Sequence, residues 1–184
     1  MEIIKNLWVS GYRSYELGIF QKDDPKEKVI KDLLEQELIN YCENGLQWVL
    51  TGGQLGIDQF VVGAVQELKK QEYELKVAVM MPFMNMQSRW NEKNQEIFMN
   101  NLEKADYHNY VSQQDYSSPG QFKIWQQFML QHTNGALFVY DEEHPGKSKY
   151  EVDAIKQYQE QNDYDFQTID FYDLQDFVDS QQDS

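Results

Sequence analysis

Thr51-Gly52-Gly53-Gln54-Leu55-Gly56-Ile57-Asp58 stands between an apolar run at 46–50 and a segment carrying Ile57, Phe60, Val61, Ala64, Val65 and Leu68 at three-and-four spacing. The run reads as a strand and the periodic segment as an amphipathic helix. The glycines of such a turn would bring backbone N–H groups and the positive end of the helix against an anion. On that reading a methyl group at Gly53 obstructs the ligand and leaves most of the core alone. Asp58 falls in the first helical turn. It is placed either to accept hydrogen bonds from ribose hydroxyls or to complement the helix dipole and cap exposed N–H groups. The spacing is neither that of a dinucleotide Gly-x-Gly-x-x-Gly turn nor that of a Walker A loop.

Outward from this turn, strand-like and helix-like segments alternate to both ends. Strands are expected at 4–9, 46–50, 75–81, 107–111, 136–140 and 166–169. Helices are expected at 26–44, from Ile57, at 87–102, after Ser117-Ser118-Pro119-Gly120, at 149–161 and from Tyr172. In helix 26–44, Ile30, Leu33, Leu34, Leu38, Tyr41 and Cys42 share a stripe, which makes Cys42 a core residue rather than a nucleophile. In the helix after Gly120, Phe122, Trp125, Phe128 and Met129 form the buried side. Alternating strands and helices call for parallel pairing through right-handed crossovers. Continuous apolar strands fit a sheet covered on both sides. The expectation is therefore α/β: one Rossmann-like domain over 1–178, a doubly wound, mostly parallel sheet with helices on both faces. An acidic tail at 179–184 is expected to fray.

With 184 residues and 41% hydrophobic side chains, the chain can bury a sizeable core. Its net charge of −15 argues against general nucleic-acid binding, which draws on basic groups that displace counterions. The 13 acidic and 3 basic residues from Asp141 onward carry −10 of that charge, so residues 1–140 are only mildly acidic and have room for a local anion site. One cysteine excludes a disulfide framework and fits a reducing cytosol. No apolar run reaches membrane-spanning length, and Met-Glu-Ile-Ile-Lys lacks a signal-peptide layout, so a cytoplasmic location is expected.

In a doubly wound fold, ligands sit outside the carboxyl ends of the strands. The first such turn is Ser10-Gly11-Tyr12-Arg13. Its Arg13 fork suits phosphate or carboxylate, against the plainer role of a surface ion pair. Tyr15, Glu16 and Gly18 follow in a non-periodic stretch to Pro25 that either folds over a ligand or merely connects. The third turn brings Pro82, then Trp90, which either stacks on a base or packs, with packing favoured. The last turn holds Gly146, Lys147 and Ser148, a second set of donors or simply a helix start with Ser148 as its N-cap. It is not a P-loop, since Asp141 stands where the first glycine is required. His108, His132 and His144 lack metal-ligand spacing, so no metal is expected.

The Gly-Gly-x-x-Gly-x-Asp turn, Ser-Gly-Tyr-Arg after the first strand and the late Gly-Lys-Ser-Lys-Tyr turn resemble the SLOG superfamily. These are Rossmann-like proteins that include DprA/Smf and the LOG nucleoside-monophosphate phosphoribohydrolases. Over its whole length the chain is similar to the bacterial YpsA family. The resemblance implies a pocket for a nucleotide or derivative, ADP-ribose-like or NAD-related. It would be lined by Ser10, Gly11, Arg13, Thr51, Gly52, Gly53, Gln54, Gly56, Asp58, Gly146, Lys147 and Ser148, with Pro82 and Trp90 nearby. It also implies an association with cell division or stress response, through a small-molecule ligand or a protein partner. The sequence departs from LOG enzymes: Thr51 replaces their proline, an extra residue precedes the third glycine, and Asp58 is the nearby acid. A binding or sensor role is thus the first expectation. A glycosidic-bond hydrolase using Asp58 or Glu16 is the second, and an interaction protein with a vestigial pocket the third.

Overall fold

A computed structural model describes residues 3–183. Among them lie six strands: β1 (Asn6–Gly11), β2 (Trp48–Thr51), β3 (Lys76–Met81), β4 (Tyr107–Tyr110), β5 (Gly135–Val139) and β6 (Asp165–Ile169). The helices are α1 (Pro25–Glu43), α2 (Ile57–Lys70), α3 (Glu92–Lys104), α4 (Gly120–Gln131), α5 (Lys149–Gln159) and α6 (Phe171–Gln182), with a short 3-10 turn at Ser14–Leu17. The strands form one sheet in the order β4-β3-β2-β1-β5-β6, and every pairing is parallel. This is the expected α/β Rossmann-like arrangement.

Local chemistry sets the elements. Asp24 caps α1 by accepting the Lys26 N–H at 2.9 Å, and Pro25 occupies the first helical position, where its missing N–H is harmless. The face of α1 carrying Ile30, Leu33, Leu34 and Leu38 is buried, with Tyr41 and Cys42 half-buried beside it. Burial also pushes the Cys42 thiol up, away from reactivity. α2 buries Ile57, Phe60, Val61, Val62, Ala64, Val65 and Leu68, and packs against β1 between α1 and α3. α4 packs beside α5. Right-handed crossovers put this pair on the opposite face, because the chain reverses direction across the sheet after β4. There Trp125 donates its indole N–H to the Met80 carbonyl at 2.7 Å and meets Trp8 edge-on, as Phe138 does.

Most boundaries fall within two residues of expectation, and three of the differences have a physical reason or bear on the site. α3 starts at Glu92 rather than 87, because Asn91 caps it, accepting the Asn94 N–H at 2.8 Å, while 85–90 form turns. β1 runs to Gly11, so Ser10 and Gly11 belong to the strand, paired with Phe138 and Val139. α6 continues to Gln182, past the boundary at 178, anchored at its start by a reciprocal Asp170–Asp173 capping box. Ser184, the last residue of the expected tail, lies outside the described residues. Among the described residues, no helix is long and apolar enough to cross a membrane.

Candidate ligand-binding site

Strand order reverses between β1 and β5, and the crevice beyond their carboxyl ends is the switch point at which such sheets bind ligands. Here the turns after β1, β2 and β5 converge. The first two are zipped together: Arg13 and Gly56 form an antiparallel bridge, the Ser14 N–H donates to the Leu55 carbonyl at 3.0 Å, and the Ile57 N–H donates to the Tyr12 carbonyl at 3.1 Å. Gly56 is required for this approach. Its φ is +117°, and a Cβ there would lie 2.5 Å from the Tyr12 carbonyl oxygen. Gly11 serves the same closeness between β1 and β5, since a Cβ would overlap the Val139 carbonyl.

Asp58 lies beneath this zipper, 3% exposed. Its Oδ1 accepts the Ser10 hydroxyl at 2.6 Å and its Oδ2 accepts the Gln54 N–H at 3.2 Å. Burial raises its pKa, opposed by the Arg13 charge and by these hydrogen bonds. The Thr51 hydroxyl is near enough to steady the same carboxylate, although its geometry falls short of a hydrogen bond. Gly52 leaves room for this arrangement, since a Cβ would sit 2.8 Å from Asp58 Oδ2. Both oxygens of Asp58 are thus engaged in joining β1, the glycine turn and α2.

The last turn is fastened to the first. Glu16 accepts the Arg13 N–H at 2.8 Å through Oε1 and the Lys147 N–H at 3.0 Å through Oε2. Gly146 permits this, since a Cβ there would overlap Glu16. Tyr12 adds a second tie, donating its hydroxyl to the His144 carbonyl at 2.7 Å and accepting the Asp141 N–H at 2.9 Å. Glu16 therefore clamps two turns. The stretch around it is an ordered 3-10 turn ended by left-handed Gly18, not a loose connection. The Lys147 side chain is exposed.

What remains unengaged at this crossing is specific. Among the described residues, no hydrogen bond or ion pair holds the Arg13 guanidinium, and the Gly53 N–H donates to no acceptor. Thr51 Oγ1, Ser148 Oγ and Glu151 Oε2 are buried without hydrogen-bond partners. Ser148 precedes α5 but does not cap it with its side chain, contrary to the plainer expectation. Glu151 was not singled out in the sequence. It sits in the first turn of α5, and burial pushes its carboxyl up to about 7. The Arg13 charge and a hydrogen bond from its own backbone N–H oppose that rise, while Asp58 and Glu16 add to it. The one available signal was the spacing Ser148-x-x-Glu151, which matches a capping box.

Other expected residues sit differently. The Cα–H of Gly53 faces the core, where a Cβ would lie 2.7 Å from Met81 Cγ and 3.0 Å from both Met86 Cε and Phe98 Cε2. Substitution there crowds the core, so the expectation that a methyl group would spare it is corrected. Trp90 meets Phe98 edge-on at 5.6 Å and packs at the back of this same cluster. Pro82 is buried after β3, two strands from β1. The Gln54 side chain reaches Met86 Sδ at 3.5 Å.

A groove of about 1160 Å³ runs between α1 and α6, with Glu37, Tyr41, Asp165, Asp173 and Phe177 in its lining. None of the unpartnered buried polar atoms belongs to it, and its acidic lining is unsuited to an anion. The switch point is the better candidate on chemistry. Among the described residues, no group of His, Cys, Asp and Glu is arranged to hold a metal ion.

The sequence profile described as the YspA SLOG family matches residues 7–174. A UPF0398 protein of Ligilactobacillus salivarius is 48% identical over 177 residues, covering 96% of this chain and 97% of the relative. Another from Latilactobacillus sakei is 48% identical over 175 residues, 95% and 94% of the two chains. A third from Enterococcus faecalis is 43% identical over 178 residues, 97% and 99%. The match spans all three turns of the switch point, and the chain belongs to the YpsA family of SLOG proteins.

Proposed function

We propose that the chain is a cytosolic binding or sensor protein for a small nucleotide or nucleotide derivative, of the ADP-ribose or NAD type, held at the switch point. The observation that carries this reading is the Arg13 guanidinium, without a hydrogen bond or ion pair but near enough to act on Asp58 and Glu151, at a crossing that also buries three unpartnered polar atoms, Thr51 Oγ1, Ser148 Oγ and Glu151 Oε2. Buried polar atoms without partners are unfavourable by about 1–3 kcal/mol each. A ligand rich in hydroxyls and carrying an anionic group supplies what they lack. Arg13 offers the fork for a phosphate, the Gly53 N–H adds a donor, and the hydroxyls and Glu151 suit a sugar. The single, half-buried cysteine suits a reducing compartment.

Glycosidic-bond hydrolysis is a second reading, favoured by one observation. Glu151, with its carboxyl pushed up to about 7, lies near enough to Asp58 to feel its charge, and glycosidases likewise work with two carboxyl groups at one centre. Glu16 is less suited to that chemistry, because both its oxygens accept backbone N–H groups. Calorimetric titration with NAD, ADP-ribose and nucleoside monophosphates, followed by chromatography of each mixture, separates the readings. Saturable heat with intact ligand supports the sensor. Released base supports the hydrolase. Absence of binding and turnover with every compound rejects both.

A further inference from the structure

The sequence offers Asp58 as the carboxylate for ribose hydroxyls, but both its oxygens are occupied, by the Ser10 hydroxyl and the Gln54 N–H. Asp141, buried after β5, is likewise occupied, accepting the Glu143 and Phe171 N–H groups, whereas a third buried acidic side chain is different. Glu151 is 6% exposed, with Oε2 shut away from water and unpartnered. Ser148, at capping-box distance before it, is fully buried with an unpartnered hydroxyl. A serine and glutamate at this spacing ordinarily satisfy each other's backbone N–H groups at a helix start. Here Ser148 has helical backbone angles, φ −72° and ψ 0°, rather than the extended ones of a capping residue, and its side chain makes no cap bond. The Ser148 hydroxyl is thus free of capping, and although the Glu151 carboxyl is held by its own backbone N–H, its Oε2 is left buried with hydrogen-bonding capacity to spare.

The groups around Glu151 define what it can meet. Arg13 approaches from the turn after β1, Glu16 from the 3-10 turn and Asp58 from α2. This gives one cation against three carboxylates, with Glu16 and Asp58 already hydrogen-bonded. Such a balance suits one phosphate on Arg13 and repels a polyanion from the Glu151 side. A neutral, hydroxyl-bearing group is what this side can accept.

Resting on the nucleotide reading above, we propose that Glu151 is the specificity-determining residue of the site. It reads the 2′- and 3′-hydroxyls of a 5′-phosphorylated ribosyl group with Ser148 beside it, while Asp58 positions the turns without touching the ligand. Either protonation state of Glu151 serves, since an ionised carboxylate accepts from a hydroxyl and a neutral one both donates and accepts. A site built to hydrogen-bond a hydroxyl discriminates strongly against the analogue that lacks it.

The test is calorimetric titration of AMP, 2′-deoxy-AMP, 3′-deoxy-AMP and ADP-ribose into the parent, Glu151→Leu, Glu151→Gln and Asp58→Asn, with folding of each checked by circular dichroism. In the parent, AMP should bind at least about tenfold more tightly than one of its deoxy forms. That ratio should collapse towards one in Glu151→Leu and survive in part in Glu151→Gln, which keeps a hydrogen-bonding oxygen. It should persist in Asp58→Asn. ADP-ribose should weaken about tenfold or more in Glu151→Leu. General damage to the fold would lower all affinities without erasing the ratio. A ratio that survives Glu151→Leu, or that is lost in Asp58→Asn instead, overturns the role given to Glu151. If the parent binds none of the four compounds, the nucleotide reading itself fails and this inference goes with it.

Discussion

The Ser10 hydroxyl on β1 donates a 2.6 Å hydrogen bond to Asp58 Oδ1 on α2, wholly within the protein. A buried carboxylate held this way resists losing a single partner, because the remaining charge keeps its desolvation penalty. Ser10→Ala should lower stability by about 1–3 kcal/mol in urea unfolding. Asp58→Asn puts an amide N–H₂ or a carbonyl where two donors point, so it too should be destabilising. The double variant should fall short of the sum of the singles, as expected for groups in contact. Strict additivity would show that the two side chains act independently.

Gly53→Ala tests where the glycine turn faces. A Cβ would press on Met81, Met86 and Phe98, so the variant should lose about 1–3 kcal/mol through overpacking. An unfolding midpoint equal to that of the parent would mean that the Cβ points to open space.

The pH dependence of stability should carry the mark of Glu151. Its ordinary value of 4.5 rises to about 7 on folding, so between those values the folded state binds more protons than the unfolded chain. The stabilising contribution is therefore complete below 4.5, declines as pH rises through the interval and is lost above about 7. Glu151→Gln has no such loss. Its stability relative to the parent should rise between pH 5 and 8 by an amount on the order of 3 kcal/mol. Denaturant midpoints of both proteins across that range measure the difference. Asp58 titrates with the same sign in both proteins and cancels to first order. A difference independent of pH would mean that Glu151 is already ionised in solution.

The architecture was legible because strand and helix signals were locally strong. The residues at 46–50 and 75–81 are apolar runs, and α2 repeats its apolar positions over its whole length. Conversely, α3 begins in a polar, asparagine-rich stretch where periodicity is weak, and the Asn91 cap alone fixes its start. The three turns were found from glycine and position, yet the duties of Asp58, Glu16 and Gly53 were not. Those depend on partners far away in sequence: Ser10 for Asp58, Lys147 for Glu16, Met81 and Phe98 for Gly53. Glu151 was hidden for a further reason. Its capping-box spacing supplies a sufficient local role, and its burial arises only when β5 pairs beside β1.

Charge predicts weak DNA binding. With −15 overall and Arg13 accompanied by three carboxylates, the switch point cannot gather several phosphates. Fluorescence anisotropy with labelled single-stranded DNA at physiological salt should show no saturable binding at micromolar protein. Tight, salt-sensitive binding would move a DprA-like role to the front.

The measurement closest to the central claim is a backbone amide NMR titration of isotope-labelled protein with ADP-ribose and AMP. A nucleotide seated at the switch point shifts the amides of Arg13, Gly52, Gly53, Ser148 and Glu151 in a saturable way, and Arg13→Ala abolishes those shifts while leaving the remaining spectrum folded. Spectra that do not move, or shifts confined to the groove between α1 and α6 around Tyr41 and Phe177, would contradict it.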